Sequence, residues 1–102
     1  METKILKLKR LLKDASDNNQ QIMSYYLNMV FEKIKESSDQ NFDVKLLNFM
    51  NERVAYANKF VGKKNNKVFE EEIYCLSLLS FTFFNGKYKP EIVENKVILS
   101  GE

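Results

Sequence analysis

The sequence contains no histidine, no tryptophan and a single cysteine, Cys75, among its 102 residues. Histidine is the side chain whose unperturbed pKa lies nearest neutrality, so its absence excludes the usual Ser-His and Cys-His nucleophile pairs. One thiol forms no internal disulfide, and without histidine it does not complete a structural zinc site. We therefore expect no enzymatic activity, no metal and no cofactor. The same reasoning predicts a reducing compartment, with Cys75 as a small core residue.

Long hydrophobic runs are absent as well. The N-terminal ten residues are charged throughout, which does not fit a signal peptide. The most apolar stretch, residues 73–84, is interrupted by Ser77, Ser80 and Thr82 and is shorter than the roughly 20 residues that cross a bilayer. These features predict a soluble, cytoplasmic protein.

Glycine and proline are scarce, with three and one residues respectively. The glycines stand apart at positions 62, 86 and 101, so the sequence has no glycine-rich phosphate loop. Hydrophobic residues make up 44% of the chain and charged residues 29%, which is typical of a globular protein. The length predicts one domain over residues 1–102. A net charge of +2 neither requires nor excludes a nucleic acid or an anionic membrane as partner.

Helical periodicity extends over the first four-fifths of the chain. Apolar residues recur at spacings of three and four in segments that we predict as helices over residues 3–15, 19–37, 42–61 and 68–84. Polar residues 16–19 separate the first two helices and contain candidate N-caps, and Gly62 is a candidate left-handed residue after the third. The face of the second helix is formed by Met23, Tyr26, Leu27, Val30 and Ile34, widened by Tyr25, Met29 and Phe31.

Three consecutive glutamates, Glu70, Glu71 and Glu72, fall near the start of the fourth helix. Carboxylates there complement the positive end of the helix dipole, and consecutive positions point in different directions. We interpret them as a solvated helix start. A metal or acid-base cluster is the alternative.

Residues 80–89 allow two interpretations. Asn85-Gly86 after an aromatic, β-favouring run is typical of a β-hairpin turn, but the same dipeptide can end a helix that continues through Phe83. The unbroken apolar stripe favours the helix. Beyond Pro90 the chain is expected to be extended, or to form a small hairpin that turns at Glu94-Asn95. The predicted fold class is therefore all-α: an antiparallel four-helix bundle with the tail, residues 85–102, packed on it.

Parts of the third and fourth helices resemble a known family. The segment Ala55-Tyr56-Ala57-Asn58-Lys59, with the preceding Leu46-Leu47-Asn48-Phe49-Met50, is similar to the third-helix region of enterocin A-type immunity proteins. Asn85-Gly86-Lys87-Tyr88 resembles a motif that follows their fourth helix. The resemblance extends over residues 44–88 and is loose in the first two helices. The longer connector at residues 63–66 and the tail after Tyr88 depart from the family pattern.

This resemblance implies a Gram-positive cytosolic protein that protects producers of pediocin-like (class IIa) bacteriocins. Such proteins are thought to bind the complex of bacteriocin and mannose transporter from inside the cell. It implies a partner-binding site, and we assign the candidate residues Asn85, Gly86, Tyr88, Lys59, Lys63 and Lys64 to it. A second basic set suits weak contact with the anionic inner face of the membrane, and consists of Lys4, Lys7, Lys9, Arg10 and Lys13.

Two other functions remain open. A small phage or mobile-element inhibitor or adaptor would bind a host protein through the same kind of surface. A DNA-binding protein would use a basic helix with a C-terminal hairpin, but only Arg10 and Arg53 are arginines. The sequence does not define an oligomeric state.

Overall fold

The structure is a computed structural model that describes residues 3–36, 38–63 and 67–101. The elements are α1 (Lys4–Asp17), α2 (Gln21–Ile34), α3 (Asp39–Ala57), a 3-10 helix (Asn58–Phe60), α4 (Lys67–Phe84), β1 (Pro90–Val93) and β2 (Lys96–Leu99). The predicted fold class is confirmed, since the described residues form four α-helices followed by a two-stranded antiparallel hairpin. The chain divides into two compact units, Met1–Phe49 and Met50–Glu102. The assignment of one domain stays a prediction.

The connection between α1 and α2 differs from the prediction. Helix α1 continues to Asp17, and the Asn18 side chain donates from Nδ2 to the Asp14 carbonyl oxygen at 2.8 Å. Asn19 has a φ of 57°, in the left-handed region. These polar residues therefore end α1, whereas we had expected N-caps for the second helix. The N-cap of α2 is Gln20, which makes no side-chain capping bond.

The first unit has a core that follows the predicted face of α2. All five residues of that face are buried, and α1 adds Leu8 and Ala15 to the core. The ring of Tyr26 meets that of Phe49 edge-on, with centroids 5.7 Å apart. The prediction was wrong for Tyr25, which is 70% exposed, whereas Met29 and Phe31 are half-buried.

Gly62 belongs to a turn beyond the third helix. Val61 is extended, with φ −62° and ψ 128°, and Gly62 follows with φ 79°. The N–H of Lys63 donates to the Phe60 carbonyl oxygen at 3.2 Å. These angles define a type II turn, which requires a positive φ at its third residue. The expected left-handed glycine is present, but it follows the 3-10 helix and does not cap α3 directly.

Helix α4 ends where the helical interpretation of residues 80–89 placed its end. Asn85 and Gly86 have φ values of 56° and 88°, and the Gly86 N–H donates to the Ser80 carbonyl oxygen at 3.1 Å. The aromatic run is therefore helical, and the alternative hairpin over these residues is wrong.

Of the two alternatives for the tail, an extended chain or a small hairpin, the described residues form the hairpin, which turns at Glu94-Asn95. Strand β1 pairs with β2 in the register Pro90–Leu99, Glu91–Ile98, Ile92–Val97 and Val93–Lys96. Glu94 and Asn95 have φ values of 53° and 61°, which is the pattern of a two-residue type I′ turn. This hairpin follows α4 within the second unit.

Candidate binding surface

Cys75 is a buried thiol, as the sequence predicts. Burial, and to a smaller extent the negative charges of Glu72 and Glu71, raise its pKa to about 12. Because the thiolate is the reactive form, this side chain is a poor nucleophile near neutral pH. Within residues 3–36, 38–63 and 67–101, no group of three or more Cys, Asp or Glu side chains is arranged to hold a metal ion.

Glu72 corrects the interpretation of the three glutamates. Glu70 is exposed and Glu71 is half-buried, but Glu72 is only 5% exposed. Its carboxylate accepts two hydrogen bonds from Arg53, one of them from Nε at 3.2 Å and the other from Nη2. The buried Glu72 is therefore part of an ion pair that fixes α4 to the C-terminal part of α3, and the expectation of three solvated carboxylates was wrong at this position.

The same arginine also contacts an aromatic ring. The Arg53 guanidinium carbon lies 4.4 Å from the centroid of Tyr56, one helical turn further along α3. The Tyr56 ring in turn lies 5.1 Å from that of Phe60. A guanidinium that is held by a carboxylate and stacked on a ring has little freedom, so this cluster is a rigid support for the residues that follow it.

The turn after α4 brings together three residues that the sequence assigns to partner binding: Asn85, Gly86 and Tyr88. The Ser80 hydroxyl donates to the Lys87 carbonyl oxygen at 2.6 Å and fixes the turn to the helix. The Tyr88 ring meets Phe84 edge-on at 5.1 Å, and Tyr88 has a φ of 61°. A left-handed conformation is unusual for a bulky side chain, so the surrounding contacts impose it.

Asn58 anchors the hairpin to the end of α3. Its side chain donates from Nδ2 to the Val97 carbonyl oxygen at 3.1 Å and accepts from the Val97 N–H at 2.7 Å. The side chains of Val97 and Leu99 are buried beside this contact. The outer edge of β2 is therefore held by Asn58, and the side of the hairpin that carries Val97 and Leu99 is held by apolar burial.

The opposite side of the hairpin faces solvent. Alternation along the strands and the register place Glu91, Val93, Lys96 and Ile98 on one side, which we call the hairpin face. Val93 is 46% exposed and Ile98 is 39% exposed. Neighbouring exposed apolar side chains rimmed by polar ones mark contact surfaces, and Glu91 and Lys96 flank Val93 and Ile98 on this face.

The five basic residues predicted on α1 differ in their contacts and in their exposure to solvent. Lys4 pairs with Asp43 at 2.8 Å, and Lys13 pairs with Asp17 at 3.0 Å, a hydrogen bond that raises the pKa of Lys13. The Lys9 ammonium lies 5.8 Å from the Phe31 ring. Lys7 is half-buried and Arg10 is exposed. These five cations do not form one uniform basic face, and their contact with a membrane stays a prediction.

The lysines assigned to the partner-binding site are only partly described. Lys59 and Lys63 are exposed, and the Lys59 ammonium lies 5.9 Å from the Tyr56 ring. Lys64 lies outside the described residues. Sequence reasoning missed Asn58, the neighbour of Lys59, although it belongs to the segment that carries the family resemblance. The sequence around an asparagine does not indicate that its side chain will hydrogen-bond to the backbone of a residue 39 positions later.

A polar cavity lies at the connection between α1 and α2. Its volume is about 230 Å³, and its lining consists of Ala15, Ser16, Asn19, Gln20, Gln21 and Ser24. None of these side chains titrates near neutral pH, so the cavity offers no acid or base for catalysis.

Comparison of the chain with protein-family models, curated proteins and solved structures gave no match. Within the described part of the chain, no helix has both the length and the apolar character to cross a bilayer.

Proposed function

We propose that this chain is a non-enzymatic binding protein that recognises a protein partner through the hairpin face. The observation that carries the proposal is the contrast between the two sides of the hairpin. Val97 and Leu99 are buried on one side, where Ile92 of β1 stays exposed, and Asn58 holds the edge of β2, whereas the other side keeps Val93 and Ile98 exposed between charged residues. A rigid support with a few exposed apolar side chains loses little entropy on binding, which favours specific association.

The partner we propose is the membrane complex that bacteriocin immunity proteins hold from the cytosolic side. The family resemblance of residues 44–88 supports this choice. The turn at residues 85–89 leads directly into β1, so Asn85, Gly86 and Tyr88 lie next to the hairpin face along the chain. The exposed cations Lys59, Lys63, Lys9 and Arg10 would favour approach to anionic headgroups, each by about 1 kcal/mol when close to the surface.

The test compares two double variants expressed in the cytosol of a sensitive Gram-positive strain. Wild-type protein should raise tolerance to at least one pediocin-like bacteriocin when it is made inside the cell, and should do nothing when added outside. Val93→Ser with Ile98→Ser should abolish protection. The matched control is Ile22→Ser with Val44→Ser, two exposed aliphatic residues of the first unit, which should keep it. Circular dichroism and thermal melts should be the same for all three proteins.

Two results would overturn this proposal. Absence of protection against a panel of such bacteriocins would remove the proposed partner, and full protection by the Val93→Ser, Ile98→Ser variant would remove the proposed surface. Binding to duplex DNA at sub-micromolar affinity in about 150 mM salt, with steep salt dependence, would favour the DNA-binding alternative. Truncation after Lys89 is a poorer test because it also removes the buried residues Val97 and Leu99.

A further inference from the structure

Helix α4 has a second, outward face that is separate from the hairpin. Glu70, Tyr74, Ser77, Leu78 and Phe81 recur at spacings of three and four, so they lie along one side of the helix, which we call the outer face. Tyr74 is 65% exposed and Phe81 is 64% exposed. The buried residues of α4, from Glu72 to Ser80, lie on other sides of the helix. The outer face thus exposes two aromatic rings to solvent, with Ser77 and Leu78 half-buried between them.

The charges at the two ends of the outer face are opposite in sign. Glu70 and Glu71 lie at its N-terminal end, where Lys67 pairs with Glu71 and leaves Glu70 as the excess negative charge, and Lys87 and Lys89 follow its C-terminal end. Residues 73–86 between them carry no charged side chain. A partner of one charge sign would match only one end. A second copy of the same helix, turned end to end, matches both ends.

We propose that two copies of this chain associate through the outer faces of α4 in an antiparallel, two-fold symmetric pair. A two-fold axis between Ser77 and Leu78 places Tyr74 opposite Phe81 of the second copy. It also places Glu70 opposite the C-terminal end of α4 of the second copy, at the turn that carries Lys87. The small side chain of Ser77 lies at the centre, where the helices approach most closely. A symmetric pair buries the same face of both copies, as a closed dimer requires.

The first experiment measures the dimer dissociation constant by sedimentation equilibrium, from about 1 μM to about 1 mM protein. The wild-type chain should form dimers within this range. Tyr74→Ser with Phe81→Ser should raise the dissociation constant at least about tenfold, because central aromatic residues carry much of the binding energy of interfaces. Ile22→Ser with Tyr25→Ser, exposed residues of the first unit, should leave it unchanged. Circular dichroism checks that all variants keep their helices.

The second experiment uses charge exchange to test the antiparallel arrangement. Glu70→Lys alone and Lys87→Glu alone should each weaken self-association by about fivefold, since each places like charges opposite one another. A mixture of these two single variants should associate more tightly than either alone, because the mixed pair has one charge pair in its original form and one in reversed form. Lys45→Glu, an exposed residue of α3, serves as the control for a change in net charge.

The third experiment tests the position of the axis by cross-linking. Ser77→Cys should form an intermolecular disulfide under mild oxidation, whereas Asn28→Cys, on the exposed side of α2, should form far less. Cys75 does not compete because it is buried. The proposal is overturned if the wild-type chain stays monomeric at about 1 mM, if the charge-exchanged mixture gains nothing, or if both cysteine variants cross-link equally.

Discussion

Asn58 pairs with Val97 as a neighbouring strand would, through one donated and one accepted hydrogen bond. Val97 is opposite Ile92 in the hairpin, and the Ser100 N–H donates to the Lys89 carbonyl oxygen three pairs away from it. Because hydrogen-bonded and non-bonded pairs alternate in antiparallel strands, the polar groups of Val97 point away from β1. The amide of Asn58 therefore satisfies both backbone groups that the hairpin itself leaves without a partner at this residue.

Replacement of Asn58 should destabilise the hairpin and with it the second unit. Asn58→Ala leaves the N–H and the carbonyl of Val97 without these partners, and we expect a loss of about 1–3 kcal/mol in the free energy of unfolding, measured by urea denaturation. Asn51→Ala, an exposed residue of α3, should change it by less than about 0.5 kcal/mol. Equal effects of the two substitutions would contradict the role assigned to Asn58.

The ion pair of Arg53 and Glu72 gives a second prediction. Arg53→Met removes the cation and leaves a carboxylate buried, which should cost about 3–5 kcal/mol in the free energy of unfolding. Adding Glu72→Met to this variant should recover much of the loss, because an apolar pair tolerates burial. The control pair is Lys67 and Glu71, 4.0 Å apart and more exposed, where Lys67→Met should cost about 0–1 kcal/mol. A double-mutant cycle with no coupling between Arg53 and Glu72 would contradict the prediction.

Two glycines with similar backbone angles should respond differently to valine. Gly62 and Gly86 have φ values of 79° and 88°, so Val is strained at both, by about 1 kcal/mol or more. A Cβ at Gly86 would also lie 3.3 Å from Cε1 of Phe81, whereas a Cβ at Gly62 would have no atom within 4 Å. Thermal denaturation should therefore show a larger decrease for Gly86→Val than for Gly62→Val. The reverse order would argue against the described contact with Phe81.

The raised pKa of Cys75 predicts a change in stability at alkaline pH. The thiol pKa rises from 9.0 to about 12, mainly because the side chain is buried. Between these two values the unfolded chain loses the proton and the folded chain keeps it. The contribution of Cys75 to the free energy of unfolding is therefore complete below pH 9.0 and decreases as the pH rises toward 12.

The measurement compares wild-type protein with Cys75→Ala by urea denaturation from about pH 8 to about pH 11. The difference in free energy of unfolding between them should become less favourable to the wild type as the pH rises. Lysine and tyrosine titrations are shared by both proteins and cancel in this comparison. A constant difference across the range would show that the thiol ionises as easily in the folded state as in the unfolded one.

Local features of the fold could be predicted from the sequence. The end of α4 at Asn85-Gly86 and the turn at Glu94-Asn95 depend on residues that tolerate a positive φ, and such residues are visible in any sequence. The buried face of α2 follows from spacing alone. Tyr25 was misplaced because an aromatic next to an apolar stripe looks like part of it, and only the packing of neighbouring elements decides its exposure.

Features that need a partner far along the chain could not be predicted. Glu72 looks identical to Glu70 and Glu71 until Arg53 is placed beside it, and consecutive glutamates give no sign of which one is buried. The candidate surface was predicted in part, through Tyr88 and its turn. The apolar residues Val93 and Ile98 were missed, because only the strand register shows which side of the hairpin is turned away from the core.

Pro90 at the start of β1 has a consequence for the behaviour of the chain at high concentration. Because hydrogen-bonded and non-bonded pairs alternate, the backbone polar groups of Pro90 and Ile92 point to the outer edge of β1, away from β2. Proline has no N–H to donate there. An incoming strand would find a single donor on this edge, at Ile92, between a proline and a tight turn. On the other edge, the groups of Val97 are already bonded to Asn58. Each edge therefore offers an incoming strand few free backbone groups for growth into fibrils, even though aliphatic side chains of the hairpin are exposed.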